Sequence, residues 1–235
     1  MDHLVATRVD ALRASTATLF RTLDDFDEQL LRGPSLLPGW SRAHVLAHLA
    51  RNADAMVNLA TWARTGDETP MYASYEKRNA DIEAGAGRSL TELVADVRAS
   101  DEHMMDALNA LTTEQWSSTI RWGRAQTEGA ASAIPNIRRA EVEIHHLDLD
   151  VGYGLAQFPD DFVDNMLVEV ADDFSGRDDA PGLVLVADDG RRWVVEPGGQ
   201  EVHGRPAALL GYLLGRTDGE DLQTDGELPK LGAWR

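Results

Sequence analysis

Residues 41–64, SRAHVLAHLARNADAMVNLATWAR, form the stretch that decides the first part of the fold. Val45, Leu49 and Met56 recur at helical spacing and predict one long helix with an apolar side. Ser41 stands just before this pattern and is a preferred N-cap residue, so the helix is predicted to begin there and to run to about Arg64. Such a helix is stable only when neighbouring elements cover its apolar side.

Three further segments have the pattern of long helices and are the predicted neighbours. Residues 2–25 place four apolar side chains on one face, namely Val5, Leu12, Leu19 and Leu23. Ser89 and Glu92 have the spacing of a capping box and predict a helix to about Asn109. Pro135 suits the first turn of a helix that runs to about Val151. Together the four helices predict an antiparallel four-helix bundle over residues 1–152.

The connections within this bundle are predicted to be irregular or short. Residues 33–40, GPSLLPGW, contain two prolines and predict a loop, and residues 112–133 are interspersed with Gly, Ser and Thr. A short helix is expected over residues 74–84.

Residues 153–235 have a different pattern and predict a small α/β domain. Residues 159–174 favour a helix, and LVLVADDGRRWVVEPGG at 183–199 places two β-rich runs around Asp-Asp-Gly, a hairpin signal. A second helix is expected from Arg205 to Leu214, followed by a short strand and tail over 220–235. The fold class is therefore α+β, a helical bundle followed by this smaller domain.

The composition excludes several classes of function. The 235 residues carry a net charge of −18, and no dense Lys/Arg tract offsets it, which argues against nucleic acid and anionic membranes as partners. The sequence contains neither an apolar run long enough to cross a bilayer nor a signal-peptide core, so we expect a cytoplasmic protein. It has no cysteine, which excludes disulfides, thiolate ligands and a thiol nucleophile of its own.

Two pairs of residues with i,i+4 spacing, His44 with His48 and Glu141 with His145, contain candidate ligands for a metal site. In RRAEVEIHHLDLD, residues 138–150, Glu141 and His145 project from one helical face. An isolated Glu-x-x-x-His is more often a surface pair, and a lone buried His48 is more often a core residue. On facing helices of a bundle, however, His48, Glu141 and His145 would supply two imidazoles and one carboxylate, the composition of a catalytic zinc site. An alternative set contains His44 and His48 and omits Glu141.

Three other side chains have candidate roles near such a site. Asp148 could accept a hydrogen bond from a ligand imidazole, or it could face solvent. Arg138 lies one turn before Glu141 and could bind an anionic cofactor or form a salt bridge. Arg216, in LLGRTDG, could bind a substrate carboxylate, although a cation at a helix C-terminus is the more common situation.

Four motifs together resemble the mycothiol-dependent maleylpyruvate isomerase family. They are LLPGWSRAHVLAHLARNAD at 36–54, GDETPMY at 66–72, RRAEVEIHHLDL at 138–149 and GYLLGR at 211–216. The resemblance implies a DinB-like bundle, zinc bound by His48, Glu141 and His145 with water completing the site, and an active-site role for Arg216. It also implies mycothiol as the thiol cofactor.

The resemblance favours a cis–trans isomerase that converts maleylpyruvate to fumarylpyruvate through a zinc-activated thiolate. Its partners would be a small thiol and a small carboxylate substrate, and the protein would be a monomer or weak dimer. Two alternatives share the same scaffold: a mycothiol S-transferase acting on another electrophile, and a non-enzymatic, metal-stabilised binding protein. A metal hydrolase has less support, because Glu143, the nearest additional base, points to another helical face.

Overall fold

The structure of the protein is a computed structural model that describes residues 2–178, 180–196 and 199–234. The chain divides into two compact units, residues 1–151 and 152–235, one residue from the predicted boundary. None of the described helices is both long enough and apolar enough to cross a membrane.

The first unit is the predicted four-helix bundle. Its described elements are α1 His3–Asp24, α2 Glu28–Arg32, α3 Arg42–Thr65, α4 Tyr75–Ala86, α5 Leu90–Asn109, β1 Thr119–Trp122, β2 Thr127–Ala130 and α6 Ile134–Asp148. Helix α3 packs against both α5 and α6, and α1 packs against α6. The four long helices α1, α3, α5 and α6 are those predicted from periodicity.

The local signals explain where these helices begin and end. The apolar face predicted for α1 is buried, with Leu12 and Leu19 fully inaccessible. The capping box of α5 is confirmed: the Ser89 backbone N–H donates to Glu92 Oε2 at 2.9 Å, and the Glu92 N–H donates to Ser89 Oγ at 3.4 Å. Helix α3 ends at Thr65 and is capped by Gly66, whose φ of 80° is a left-handed conformation that glycine adopts without a Cβ penalty.

Two features of the first unit, a hairpin and a helix, were not predicted from the sequence. Residues 112–133 contain the antiparallel hairpin β1–β2, and α2 forms within the segment before the proline-rich loop. Both are short. The strand β2 has the sequence TEGA, which shows no alternation of apolar and polar residues, so the periodicity that predicts strands is missing there.

The second unit is a small α/β domain, as predicted. Its described elements are α7 Asp160–Ser175, β3 Leu183–Ala187, β4 Arg192–Glu196, β5 Gln200–Gly204, α8 Pro206–Leu213 and β6 Gln223–Thr224. The sheet has the order β4-β3-β5-β6, in which β3 and β5 are parallel and the other pairs antiparallel.

The predicted Asp-Asp-Gly hairpin corresponds to β3 and β4, while β5 was not predicted from the sequence. Pro197 and Gly198, at the end of the predicted hairpin run, and Arg235, at the end of the predicted tail, lie outside the described residues.

Candidate metal centre

Helices α3 and α6 bring three potential metal ligands together inside the bundle. His48 lies on α3, and Glu141 and His145 lie one turn apart on α6. His48 is 2% exposed, whereas the Glu141 side chain is 30% exposed. The cluster is therefore buried on the α3 side and accessible at the carboxylate.

The three side chains meet at one oxygen atom. Oε2 of Glu141 lies 2.8 Å from Nε2 of His48 and 3.3 Å from Nε2 of His145. The two imidazole rings stand edge to face with their centroids 4.5 Å apart. One donor atom from each residue lies within 4.8 Å of the other two, which is the spacing of a potential metal site.

These residues fit a zinc-type ion in both chemistry and distance. Ligand bonds of about 2.0–2.1 Å at a tetrahedral angle separate the donor atoms by about 3.3 Å. The distance between His145 and Glu141 already has this value, and the distance between His48 and Glu141 would have to open by about half an ångström. Two imidazoles and one carboxylate leave a fourth position for a ligand from outside the chain.

The electrostatics of the cluster keep the carboxylate ionised. Burial alone would raise the pKa of Glu141, but hydrogen bonds with His145 and His48 hold it well below its ordinary value. Burial, together with the charge of His145, lowers the pKa of His48 to about 4. His48 is therefore neutral at neutral pH, which is the form that binds a metal ion.

Asp148 lies behind His145 and orients its ring. Its Oδ2 is 2.8 Å from Nδ1 of His145, and the aspartate is fully buried. Burial would lower the pKa of His145, but the hydrogen bonds with Asp148 and Glu141 raise it above its ordinary value. The bond to Asp148 occupies Nδ1 and leaves Nε2 directed at Glu141, an arrangement typical of metal-binding histidines. Of the two predicted positions for Asp148, the structure has the buried one.

The other histidine considered from the sequence lies outside the cluster. Nδ1 of His44 accepts a hydrogen bond from the Ser41 backbone N–H at 3.2 Å, and Nε2 lies 3.3 Å from Glu83. His44 therefore caps the first turn of α3. The alternative ligand set of His44 with His48 is not the set that the structure brings together.

Two further charged residues of α6 that were considered from the sequence are also directed into the protein interior. Glu143 is 1% exposed and accepts a hydrogen bond from Ser15 Oγ at 2.5 Å, which places it on the α1 side of α6. Arg138 is also 1% exposed and donates to Leu49 O and Asn52 Oδ1 on α3. The structure does not support the predicted contact of Arg138 with a cofactor, because its guanidinium is enclosed by protein.

Sequence reasoning did not identify Arg78 and Tyr72 as neighbours of the site. Nη2 of Arg78, on α4, lies 3.0 Å from Nδ1 of His48, and its guanidinium carbon lies 5.6 Å from the centre of the Tyr72 ring. Because a guanidinium only donates, Nδ1 of His48 acts as the acceptor and the ring proton lies on Nε2, facing Glu141. Tyr72 belongs to the GDETPMY motif. Burial, and to a lesser extent the negative charge of Glu141, raise the pKa of Tyr72.

Arg216 belongs to the second unit and follows the end of α8. It is half-buried, and its Nη1 donates to Leu214 O at 2.8 Å. The preceding Gly215 has a φ of 66° and ends the helix. A bond to a carbonyl at a helix end is the common situation for such an arginine, and the predicted role of Arg216 in catalysis stays a prediction.

Comparisons with known proteins agree on one family across the chain. A family model described as the mycothiol maleylpyruvate isomerase N-terminal domain matches residues 12–150, and the MDMPI C-terminal domain matches residues 157–233. A crystal structure of a mycothiol-dependent maleylpyruvate isomerase superimposes with a TM-score of 0.93 at 29% identity. A histidine-to-alanine mutant of such an isomerase gives the same TM-score at 28% identity. Both alignments cover 100% of each chain. No curated protein matches the sequence. Because the first model alone matches more than half of the chain, the chain belongs to the mycothiol maleylpyruvate isomerase family.

Proposed function

We propose that this protein is a zinc-dependent isomerase that uses mycothiol to convert maleylpyruvate to fumarylpyruvate. The observation that carries the proposal is the meeting of His48, Glu141 and His145 donor atoms within 4.8 Å of one another. The similarity to a solved mycothiol-dependent maleylpyruvate isomerase over the whole chain supports the choice of substrate and thiol.

The ligand set determines what the centre contributes. When bound, the metal supplies positive charge that favours the thiolate form of mycothiol, and that thiol supplies the nucleophile for reversible addition to the cis double bond. Glu141 and two neutral imidazoles cancel only one of the two charges of a divalent ion, so the centre stays cationic. The 30% exposure of the Glu141 side chain gives ligands access to it.

The surrounding residues hold this centre in one arrangement. Asp148 accepts a hydrogen bond from Nδ1–H of His145 and so keeps Nε2 available for the metal. Trp40 packs 5.8 Å from the His48 ring, centroid to centroid, and restricts its movement. We propose in addition that Arg216 binds a substrate carboxylate, because its planar guanidinium can donate two parallel hydrogen bonds.

The sharpest test compares two histidines one turn apart on α3. His48→Ala should lose both bound zinc and mycothiol-dependent turnover of maleylpyruvate, whereas His44→Ala, the matched control, should keep both. Metal content is measured by elemental analysis of the purified protein, and turnover by the absorbance of the substrate with and without mycothiol.

Several outcomes would contradict the proposal. Full zinc content in His48→Ala would remove His48 from the ligand set, and catalysis that survives complete chelation would remove the metal from the reaction. Consumption of one mycothiol per substrate, with a stable adduct as product, would identify an S-transferase. Zinc binding without any thiol-dependent reaction would favour a metal-stabilised binding protein.

A further inference from the structure

Helices α3 and α6, which carry the proposed ligands, are joined by a buried arginine. Nη1 of Arg138 on α6 donates to the Leu49 carbonyl oxygen and to Asn52 Oδ1 on α3, both at 2.9 Å. Arg138 and Asn52 are each 1% exposed. These two hydrogen bonds therefore lie in the bundle interior, where water does not compete with them.

The positions of these residues relate the bridge directly to the ligands. Leu49 follows His48 in the chain, and Asn52 lies one helical turn beyond it. Arg138 lies one turn before Glu141 on the same side of α6. The bridge thus joins the turn of α3 that carries one ligand to the turn of α6 that carries the next.

The burial of the Arg138 guanidinium is energetically unfavourable and therefore requires an explanation. Moving a guanidinium from water into a protein interior costs several kcal/mol, and well-packed apolar residues often stabilise such a position equally well. Asp101 on α5, 9% exposed, provides an opposite charge, because its carboxylate raises the pKa of Arg138 against the lowering caused by burial. Arg138 and Asp101 are therefore two buried groups of opposite charge in the bundle interior.

We propose that Arg138 is a positioning residue for the metal centre, which fixes the distance between α3 and α6 so that His48 can share an ion with Glu141 and His145. The inference rests on the proposed metal site. Metal–ligand distances tolerate changes of only about 0.2 Å, so a site built from two helices requires a fixed separation between them. Arginine suits this role because one nitrogen can donate to two acceptors in a set geometry.

The neighbouring residue provides a matched control. Arg139 is 7% exposed and donates from Nε to Ser15 Oγ at 3.1 Å, and Ser15 lies on α1. Helix α1 carries none of the proposed ligands. Replacing either arginine removes a buried hydrogen-bonded charge, but the hydrogen bonds described for Arg138 join the two ligand-bearing helices, whereas the one described for Arg139 leads to α1.

The experiment compares Arg138→Met and Arg139→Met in metal affinity and in the visible spectrum of bound Co²⁺. A chromophoric chelator competes for Zn²⁺ with each purified protein. We expect Arg138→Met to weaken Zn²⁺ binding by about 10–100-fold, the range found for residues that support metal ligands, and to shift the Co²⁺ bands. Arg139→Met should keep the wild-type affinity and spectrum, even where urea unfolding shows that it is less stable.

A double variant separates positioning from stability. In Arg138→Met/Asp101→Leu both buried charged groups are removed, so the fold should recover from any destabilisation of the single variant. Metal affinity should nevertheless stay low. A stable double variant with wild-type Zn²⁺ affinity and Co²⁺ spectrum would overturn the inference, as would an equal loss of affinity in Arg139→Met. Failure of the wild-type protein to bind Zn²⁺ would instead overturn the proposed metal centre itself.

Discussion

Replacing Asp148 should weaken metal binding, and the size of the loss should depend on the side chain that replaces it. The Asp148 carboxylate lies 2.8 Å from Nδ1 of His145 and is fully buried, and His145 itself is 15% exposed. Hydrogen bonds to charged groups in such surroundings contribute about 1.5–3 kcal/mol. The bond makes Nε2 of His145 a better ligand and fixes the orientation of the ring.

The two substitutions remove different amounts of this interaction. Asp148→Asn keeps an oxygen acceptor but loses its charge, which roughly halves the strength of the bond and corresponds to about a tenfold weaker Kd for Zn²⁺. Asp148→Ala removes the acceptor, and the expected loss is about 100-fold.

Competition with a chelator for Zn²⁺ measures these affinities, and Asp150→Asn is the matched control. Asp150 lies two residues further along, and its side chain is 63% exposed, so its replacement should leave the Kd unchanged. Thermal unfolding of the metal-free proteins shows whether each variant is folded before the titration. A folded Asp148→Ala protein with wild-type affinity would refute the argument that this hydrogen bond supports the ligand.

Three further predictions follow from other side chains. Arg216→Ala should lower kcat/KM about tenfold or more while zinc content stays constant, and Arg216→Lys should recover part of the loss; unchanged kinetics for the alanine variant would restrict Arg216 to its helix end. Arg78→Met should tighten Zn²⁺ binding. A His48 ring that binds zinc through Nε2 carries its proton on Nδ1, but in the structure the Arg78 guanidinium donates a hydrogen bond to Nδ1 and so disfavours that proton position. Weaker binding in the chelator titration would contradict this prediction. Burial lowers the pKa of His146 to about 4, so the unfolded chain takes up the proton first and stability falls as the pH drops below about 6.5. Between pH 7 and 4.5, the free energy of unfolding measured in urea should fall by about 2 kcal/mol more for the metal-free wild type than for metal-free His146→Gln. Equal losses would contradict the lowered pKa of His146.

The helical part of the fold could be predicted because each long helix carries its own local signals. The apolar face of α1, the N-cap Ser41 of α3 and the capping box at Ser89 depend on residues within a few positions of one another. Strand β5 has no such signal. Its sequence, QEVHG, is largely polar, and it forms by pairing with the apolar β3, a partner more than a dozen residues earlier in the chain.

The candidate site was only partly predictable for a related reason. Spacing within α6 indicates that Glu141 and His145 share a face, and that part depends on one helix alone. The contact between Arg78 and His48 depends on how α4 packs against α3, and no spacing within either segment reports it. The burial of Asp148 likewise depends on the elements that surround the end of α6.

The polar side chains of α6 show which features of the site can be predicted from the sequence and which cannot. Arg138, Glu141, His145 and Asp148 follow one another at intervals of three, four and three residues, the spacing that apolar residues occupy on the inner side of a bundle helix. Four polar residues in these positions give up apolar burial, and such departures from the folding pattern are expected at functional sites. The spacing therefore indicates where the site lies, but it does not distinguish the roles of the four residues. What distinguishes a ligand from a positioning residue is the group across the interface: an imidazole nitrogen of α3 opposite Glu141, and a backbone carbonyl of α3 opposite Arg138.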